Sequence, residues 1–160
     1  MTHYPFAEAA SVCLEQQNHK SSVILNVRGD QKCEYKLSWS TVDDTMSRFH
    51  ADVQRTHEFG AYAVSALSVP KLTNLTVIEI SAKGTGFDFW LGAIDDPALL
   101  FQRKARLEVS GIGKGSESDI KSRVNKKLKQ ITPSDGIFPG YVAVVEFNSP
   151  YLHLVKKCKM

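Results

Sequence analysis

Three acidic residues, Asp88, Glu108 and Glu58, have the types and spacing that suit a divalent-cation site. Asp88 and Glu108 occur in two consecutive strand-like segments, and Glu58 lies upstream in a segment with helical spacing. Acids are depleted from strands and are almost never buried unpaired, so two in neighbouring strands require a cation, a base or solvent. Carboxylate oxygens are the protein ligands that Mg²⁺ prefers, and a bound metal ion acidifies water for hydrolysis. We therefore expect the three carboxylates to converge on one divalent ion.

Each acid also has a simpler interpretation when it is considered alone. Asp88 suits a solvent-facing position on a strand, and Glu58 suits a solvated position on a helix. Glu108 suits an ion pair with Arg106 or with a lysine. The three together favour a shared site, because one arrangement accounts for all of them.

A lysine interrupts an apolar helical stripe downstream of the acids. On one face of this helix Lys127 falls near the middle and Arg123 at the edge, among the apolar residues Ile120, Val124, Leu128 and Ile131. A buried unpaired ammonium costs several kcal/mol, so the Lys127 charge must reach an acid, a ligand or water. Extension of the lysine stem over apolar surface is one explanation. The other is that Lys127 points into a pocket with Asp88 and Glu108.

Positive charge is concentrated in one part of a chain whose overall charge is +3. Residues 1–102 contain 8 Lys and Arg against 12 Asp and Glu, whereas residues 103–129 contain 9 against 3. Such a stretch suits neutralisation of nucleic-acid phosphates, although a solvated helix face is the simpler explanation of a charge run. The side chains predicted to contact nucleic acid are Arg123, Lys114, Arg106, Lys104 and Lys126.

Length and composition favour a single domain with its own core. The chain has 160 residues, of which 42% are hydrophobic, and its longest apolar runs are far shorter than the roughly 20 residues of a membrane span. The first residues lack the basic start and apolar core of an export signal, which favours a cytoplasmic location and no membrane partner. Three cysteines, Cys13, Cys33 and Cys158, fit neither a disulfide framework nor a metal clip and are expected to be reduced.

The elements that would position the acids follow from changes in hydrophobic periodicity. Helical spacing predicts helices over residues 5–17, from about residue 44 to Pro70, and from 116 to about 131. Alternating and β-branched segments predict strands over residues 22–27, 33–39, 75–80, 87–91, 106–112 and 141–147. After a first helix and a hairpin, the order is therefore helix, three strands, helix and strand.

This order, with one acid on the helix and one on each of two strands, resembles the core of the PD-(D/E)XK nucleases, the restriction-endonuclease-like superfamily. The resemblance covers residues 42–148 and implies an α/β (α+β) fold, with an αβββαβ core whose central mixed sheet is flanked by helices. Residues 1–41 would add an N-terminal helix and a β-hairpin, and residues 149–160 a basic C-terminal tail. We expect all of residues 1–160 to form a single domain.

The resemblance also implies a function. In that family the acid pair, here Asp88 and Glu108, binds one or two Mg²⁺ ions, and the helical glutamate, here Glu58, supports them. The implied activity is hydrolysis of phosphodiester bonds by a Mg²⁺- or Mn²⁺-dependent endonuclease, with DNA favoured over RNA, in DNA processing or phage defence. The implied partners are nucleic acid and either a second copy of the chain or a larger defence or repair complex.

The chain departs from the family pattern at two positions. Phe87 stands where a proline often precedes the first acid, and Ser110 stands where a lysine two positions after the second acid helps to activate water. Some members supply the missing cation from the following helix, so the resemblance implies that Lys127 is the catalytic cation, with Arg123 placed to bind phosphate. If neither side chain reaches the acids, the implied alternative is an inactive module that binds nucleic acid or a protein partner.

Overall fold

Helices and strands begin and end close to the residues that the periodicity predicts. The computed structural model describes residues 4–157, and all elements refer to that range. The α helices are α1 (Tyr4–Gln16), α2 (Asp44–Phe49), α3 (Val53–Leu72) and α4 (Glu117–Gln130). The strands are β1 (Ser22–Gly29), β2 (Cys33–Ser38), β3 (Leu75–Ile80), β4 (Phe89–Ala93), β5 (Ala105–Ile112), β6 (Gly140–Glu146) and β7 (Tyr151–Lys156). All six predicted strands are present, with bounds shifted by no more than two residues.

The single helix predicted from about residue 44 to Pro70 is wrong in two respects. It is divided into α2 and α3, because Asp43 and Asp52 each cap a separate helix. Their side chains accept hydrogen bonds from the N–H groups of Met46 and Arg55 at 2.8 and 2.9 Å. Helix α3 also continues past Pro70, since a proline in the last turn removes only one backbone donor from the helix. The upstream acid is therefore positioned by α3 alone.

The seven strands of the described chain form one mixed sheet in the order β2-β1-β7-β6-β5-β4-β3. Neighbouring strands are antiparallel except for β5 with β6 and β1 with β7, which are parallel. Helix α4 connects the parallel strands β5 and β6 and crosses one face of the sheet. The prediction of a mixed sheet flanked by helices is therefore confirmed.

The basic tail predicted for residues 149–160 instead contains β7, which lies between β1 and β6. In this strand Leu152 and Leu154 are buried and alternate with the half-buried Tyr151 and His153. Such a two-residue alternation is typical of a strand, but the lysines that follow it dominate the composition of the segment. The segment thus belongs to the core of the sheet.

Helices cover both faces of the sheet, and β5 presents different side chains to each. Helices α1 and α3 pack on one face over the larger apolar core, to which β5 contributes Leu107 and Val109. Helix α4 packs on the other face, where Arg106, Glu108 and Ser110 are 1%, 2% and 6% exposed. Three buried polar side chains at two-residue spacing are costly unless each has a partner on α4 or the loop that follows it. The candidate site lies along this polar face of β5.

Two further expectations concern the environment of the chain. None of the helices within residues 4–157 combines the length and the apolar character needed to span a membrane. Cys13 and Cys33 are free thiols, and burial raises the pKa of Cys13 to about 12, which makes it a poor nucleophile. Cys158 lies outside the described residues, and a cytoplasmic location stays a prediction.

Candidate functional site

Asp88 lies immediately before β4, where the chain is bonded to β5. Its backbone N–H donates to the Leu107 carbonyl at 3.0 Å. Its Oδ2 accepts a hydrogen bond from the Val109 N–H at 2.8 Å, and its Oδ1 accepts one from the Tyr62 hydroxyl at 3.0 Å. Burial raises the pKa of Asp88, and these two donors oppose that effect because they bond best to the ionised carboxylate. The carboxyl group of Asp88 is therefore fixed against β5.

Glu108 lies in the middle of β5 and points toward α4. Its Oε1 accepts hydrogen bonds from Lys127 Nζ at 2.6 Å and from Gln130 Nε2 at 2.9 Å. Gln130 Nε2 also donates to the Gly86 carbonyl at 3.0 Å, so it connects the end of α4 to the loop before Asp88. Burial and the negative charge of Asp88 raise the pKa of Glu108 to about 7, against the opposing effect of the Lys127 ammonium. Glu108 is therefore a carboxyl group that ionises near neutral pH.

The carboxyl groups of Asp88 and Glu108 are direct neighbours. They lie close enough for the negative charge of Asp88 to raise the pKa of Glu108. The Lys127 ammonium is paired with this cluster through Glu108. When both acids are ionised, one ammonium leaves an excess negative charge that a proton or a second cation would neutralise. Because carboxylate oxygens are hard ligands, the donor set fits Mg²⁺ or Mn²⁺.

Tyr62, on α3, connects Glu58 to Asp88. Its hydroxyl oxygen lies 2.8 Å from Glu58 Oε1 and 3.0 Å from Asp88 Oδ1. A phenol has one proton to donate, so this hydroxyl fully satisfies only one of the two carboxylates at a time. Burial, and then the negative charge of Asp88, raises the pKa of Tyr62 and keeps the hydroxyl protonated.

Glu58 is therefore one side chain removed from the acid pair. Within residues 4–157, no three His, Cys, Asp or Glu side chains are grouped in a way that would hold a metal ion. Asp88 and Glu108 are the two carboxylates that the fold brings together directly, and the exposed Glu58 reaches them through Tyr62. Direct support of a metal ion by Glu58 stays a prediction.

Two cations of α4 contact successive positions on the polar face of β5. Lys127, whose side chain is 20% exposed, pairs with Glu108. Arg123, one turn earlier on the helix, donates from Nη1 to Ser110 Oγ at 2.6 Å. The Ser110 hydroxyl, two residues after Glu108, is therefore also in contact with positive charge from the helix. Lys127 is thus paired with Glu108 rather than extended into solvent, although it is not among the residues that line the cleft beside the two acids.

Arg106, predicted to contact nucleic acid, is instead a buried structural residue. Its guanidinium donates to the carbonyls of Ile131 and Phe138 at 2.8 and 3.1 Å, and to Asp135 Oδ1 at 3.0 Å. With 1% of its surface exposed, Arg106 has no surface to offer a phosphate, because the loop after α4 covers it. Of the other predicted contacts, Arg123 and Lys104 are half-buried, and Lys114 and Lys126 are exposed.

A cleft of about 420 Å³ opens beside the two acids. One wall is the loop between β3 and β4, in which Gly84 and Gly86 have φ values of +87° and +85° that favour glycine. A hydrogen bond between the hydroxyls of Ser81 and Thr85 closes this loop on itself. Lys83, at the tip of the loop, lines the cleft as well. A ligand entering the cleft would therefore meet a cation before it meets the acids.

Two residues that hold the site, Tyr62 and Gln130, are not among those that the sequence singles out. Tyr62 follows Glu58 by one helical turn, and Gln130 follows Lys127 by nearly one turn. Each therefore shares a helix face with a predicted residue. That shared face is the signal from which the sequence would identify them.

No protein-family model, curated protein or solved structure matches the chain. Function is therefore inferred from the side chains themselves. They comprise a buried Glu108 next to a half-buried Asp88, an ammonium 2.6 Å from Glu108, and an open cleft beside both acids. Buried acids with displaced pKa values in a cleft are common in catalytic sites, although structural ion-pair networks share the property.

Proposed function

We propose that the chain is a metal-dependent nuclease of the PD-(D/E)XK type that hydrolyses phosphodiester bonds, with DNA favoured over RNA as the substrate. The observation that carries this proposal is the position of Lys127 Nζ, which lies 2.6 Å from Glu108 Oε1 and close enough to Asp88 for its charge to oppose the rise in the pKa of that carboxyl group. An ammonium at this place supplies from α4 the positive charge that Ser110 lacks at the family's lysine position.

The order and pairing of the elements support the same proposal. Helix α3, strands β3 to β5, helix α4 and strand β6 follow one another in the order of a restriction-endonuclease-like core. Strands β3, β4 and β5 are antiparallel neighbours and β6 is parallel to β5, so the two acids come from adjacent strands. Strands β1, β2 and β7 extend the sheet beyond β6, as additions to such a core would.

The acids have different tasks in the proposed reaction. Asp88 and Glu108 would hold Mg²⁺ or Mn²⁺, which when bound supplies an acidified water and neutralises charge on the phosphate. The Val109 N–H and the Tyr62 hydroxyl favour the ionised form of Asp88. Glu108 must lose its proton before it can act as a ligand, and the Lys127 ammonium favours that loss.

Lys127 is placed to act on the substrate as well as on Glu108. Its ammonium donates to Glu108 Oε1 at 2.6 Å and lies 3.3 Å from Gln130 Oε1, which leaves its third N–H for a water or a phosphate oxygen. A fixed cation beside the phosphate stabilises the charge that develops in the transition state. Arg123, on the same helix face, would bind another phosphate oxygen.

Acid-to-amide substitutions test the proposal. Plasmid DNA and labelled oligonucleotides are incubated with Mg²⁺ or Mn²⁺ and the natural chain, Asp88→Asn, Glu108→Gln or the control Asp95→Asn, whose side chain is exposed. The natural chain and the control should cut at equal rates. The other two variants should be slower by at least about a hundredfold, since several kcal/mol of transition-state stabilisation are lost. Equal activity in all four samples would identify a contaminating nuclease and reject the proposal.

An inactive module that binds nucleic acid or protein is the second candidate, and one observation favours it. Glu108 Oε1 already accepts two hydrogen bonds, one of them from an ammonium, so the fold stabilises this carboxylate without a metal ion. Titration calorimetry with Mn²⁺ separates the two candidates. Binding that is lost in Asp88→Asn supports the nuclease, whereas no binding together with no cleavage supports the inactive module.

A further inference from the structure

An apolar groove continues from the acid cleft along the edge of the sheet. It lies between α3 and the edge strand β3 and has a volume of about 700 Å³. The groove and the cleft share Tyr62, Ile80 and Phe89 in their walls, so they form one continuous surface. Leu67, Ile80 and Phe101 line the groove although they are 63%, 68% and 80% exposed. An exposed apolar patch of this kind marks a binding surface more often than a chance feature.

Charge is distributed unevenly over this continuous surface. Lys83 lines the cleft end, and Lys127 is paired with Glu108, one of the two acids there. Along the described part of the groove, the charged lining residue is Glu79, and its carboxylate is paired with the Arg103 guanidinium, with one contact of 3.0 Å. With a divalent ion held by the acid pair, as the proposed function requires, positive charge prevails at the cleft end, so a matching ligand would carry negative charge there and uncharged, apolar faces along the groove.

We propose that the groove binds the unpaired bases of a single-stranded nucleic acid whose backbone passes the acid pair. This inference rests on the proposed nuclease function and adds its substrate class. Bases in a duplex are stacked on one another, whereas unpaired bases stack on aromatic and apolar side chains while their phosphates meet cations. The wall from Ile80 to Thr76 extends roughly 13 Å along β3, which gives space for a few nucleotides.

A second copy of the chain fits the groove less well. Strand β3 has a bulge between Val77 and Glu79, and the Glu79–Arg103 pair stands at the same edge. Bulges and charges are features by which natural sheets prevent strand pairing at an edge.

Two exposed phenylalanines provide a matched test. Phe101 lines the groove and is 80% exposed, whereas Phe49, on α2, lies outside it and is 74% exposed. Fluorescence anisotropy with Ca²⁺ in place of Mg²⁺, which supplies a cation to the acid pair while limiting cleavage, measures the affinity for a labelled oligonucleotide, single-stranded or annealed to its complement. The single strand should bind more tightly than the duplex. Phe101→Ser should weaken single-strand binding at least about fivefold, Phe101→Trp should retain it, and Phe49→Ser should leave it unchanged.

Three results would overturn the inference. The first is a Phe101→Ser variant that binds the single strand as the natural chain does. The second is equal affinity for single strand and duplex. The third is sedimentation of the natural chain as a dimer and of the Ile80→Ser variant as a monomer, which would mean that the groove binds a second copy of the chain.

Cleavage of the same oligonucleotides with Mg²⁺ keeps this inference separate from the nuclease proposal. If the duplex is cut as fast as the single strand and Phe101→Ser has no effect on cleavage, the proposed single-stranded substrate is wrong and the nuclease proposal stands. Single-strand binding that depends on Phe101, without cutting in Mg²⁺ or Mn²⁺, would retain the groove as a binding site and overturn the nuclease.

Discussion

Protonation of Glu108 links folding stability to pH. Its pKa is raised from the usual 4.5 to about 7, so between these values the folded chain holds a proton that the unfolded chain has lost. The resulting stability is fully present below the unfolded pKa and is lost as pH rises through the folded pKa. The loss is on the order of 3 kcal/mol. Urea unfolding across this pH range should show the free energy of unfolding decrease in the natural chain and not in Glu108→Gln. Parallel pH profiles of the two chains would contradict this prediction.

The same proton would control the metal binding that the proposed function requires. Glu108 must ionise to become a ligand, so Mg²⁺ affinity should rise with pH and level off above about 7, the raised pKa of this carboxyl group. Below that pH, binding should release about one proton. Titration calorimetry in two buffers with different ionisation enthalpies measures the release. An affinity that does not change across the pKa would contradict the assignment of Glu108 as a ligand.

The Tyr62 hydroxyl should influence metal binding through Asp88. Tyr62→Phe removes a hydrogen bond that favours the ionised carboxylate but keeps the ring against Phe89, with centroids 4.9 Å apart. We expect Mn²⁺ affinity to fall about tenfold and the free energy of unfolding to change by no more than about 1 kcal/mol. Tyr35→Phe, on β2, is the control. Equal Mn²⁺ affinity in both variants would remove Tyr62 from the site.

At the scale of the element, α4 places two adjacent lysines in different environments. Lys127 is paired with Glu108, and Lys126 is exposed. Lys127→Met should lower kcat by about a hundredfold or more, because a cation fixed beside the reacting phosphate is lost. Lys126→Met should lower only the salt dependence of binding. Similar kinetics in the two variants would mean that α4 acts as a diffuse basic surface.

Periodicity predicts the elements of this chain better than their junctions. The division of the long helix depends on a single cap at Asp52, and the strand at Leu152 and Leu154 is hidden by neighbouring lysines. The acid pair and Lys127 could be singled out from the sequence, because these charged residues occupy positions where a strand or the apolar face of a helix usually has apolar residues. Gln130 was not singled out, because a polar residue at an exposed helix position shows no such contrast, and its position on one helix face with Lys127 was the available signal.

The role of Arg106 also depends on tertiary structure. Its residue type and its place in a basic segment favour a nucleic-acid contact. The alternation of side chains along β5 shows that Arg106 shares a face with Glu108 and Ser110, but it does not show whether another part of the chain covers that face. Only the loop after α4, folded back over the strand, makes it a buried donor to Ile131 and Phe138. Composition therefore predicts the charge of this segment but not the surface on which each charge lies.

At the scale of the whole molecule, Arg106 connects parts of the chain that are distant in sequence. Through Asp135 it joins β5 to Lys157, just beyond β7. Arg106→Met should destabilise the fold by about 3 kcal/mol, because buried carbonyls lose their donor. Arg103→Met, which breaks an exposed pair with Glu79, should cost less than about 1 kcal/mol. Urea unfolding measures both, and equal midpoints would show that the buried network is not a stabilising connection.

The central position of β7 has a consequence for biosynthesis. This strand follows every other strand in the chain, yet it lies between β1 and β6. While the ribosome is still adding residues 151–156, the nascent polypeptide has two incomplete half-sheets whose inner edges are open to neighbouring chains. Joining of the two halves must therefore await emergence of residues 151–156 from the ribosome, although the strands on either side of β7 are already made by then.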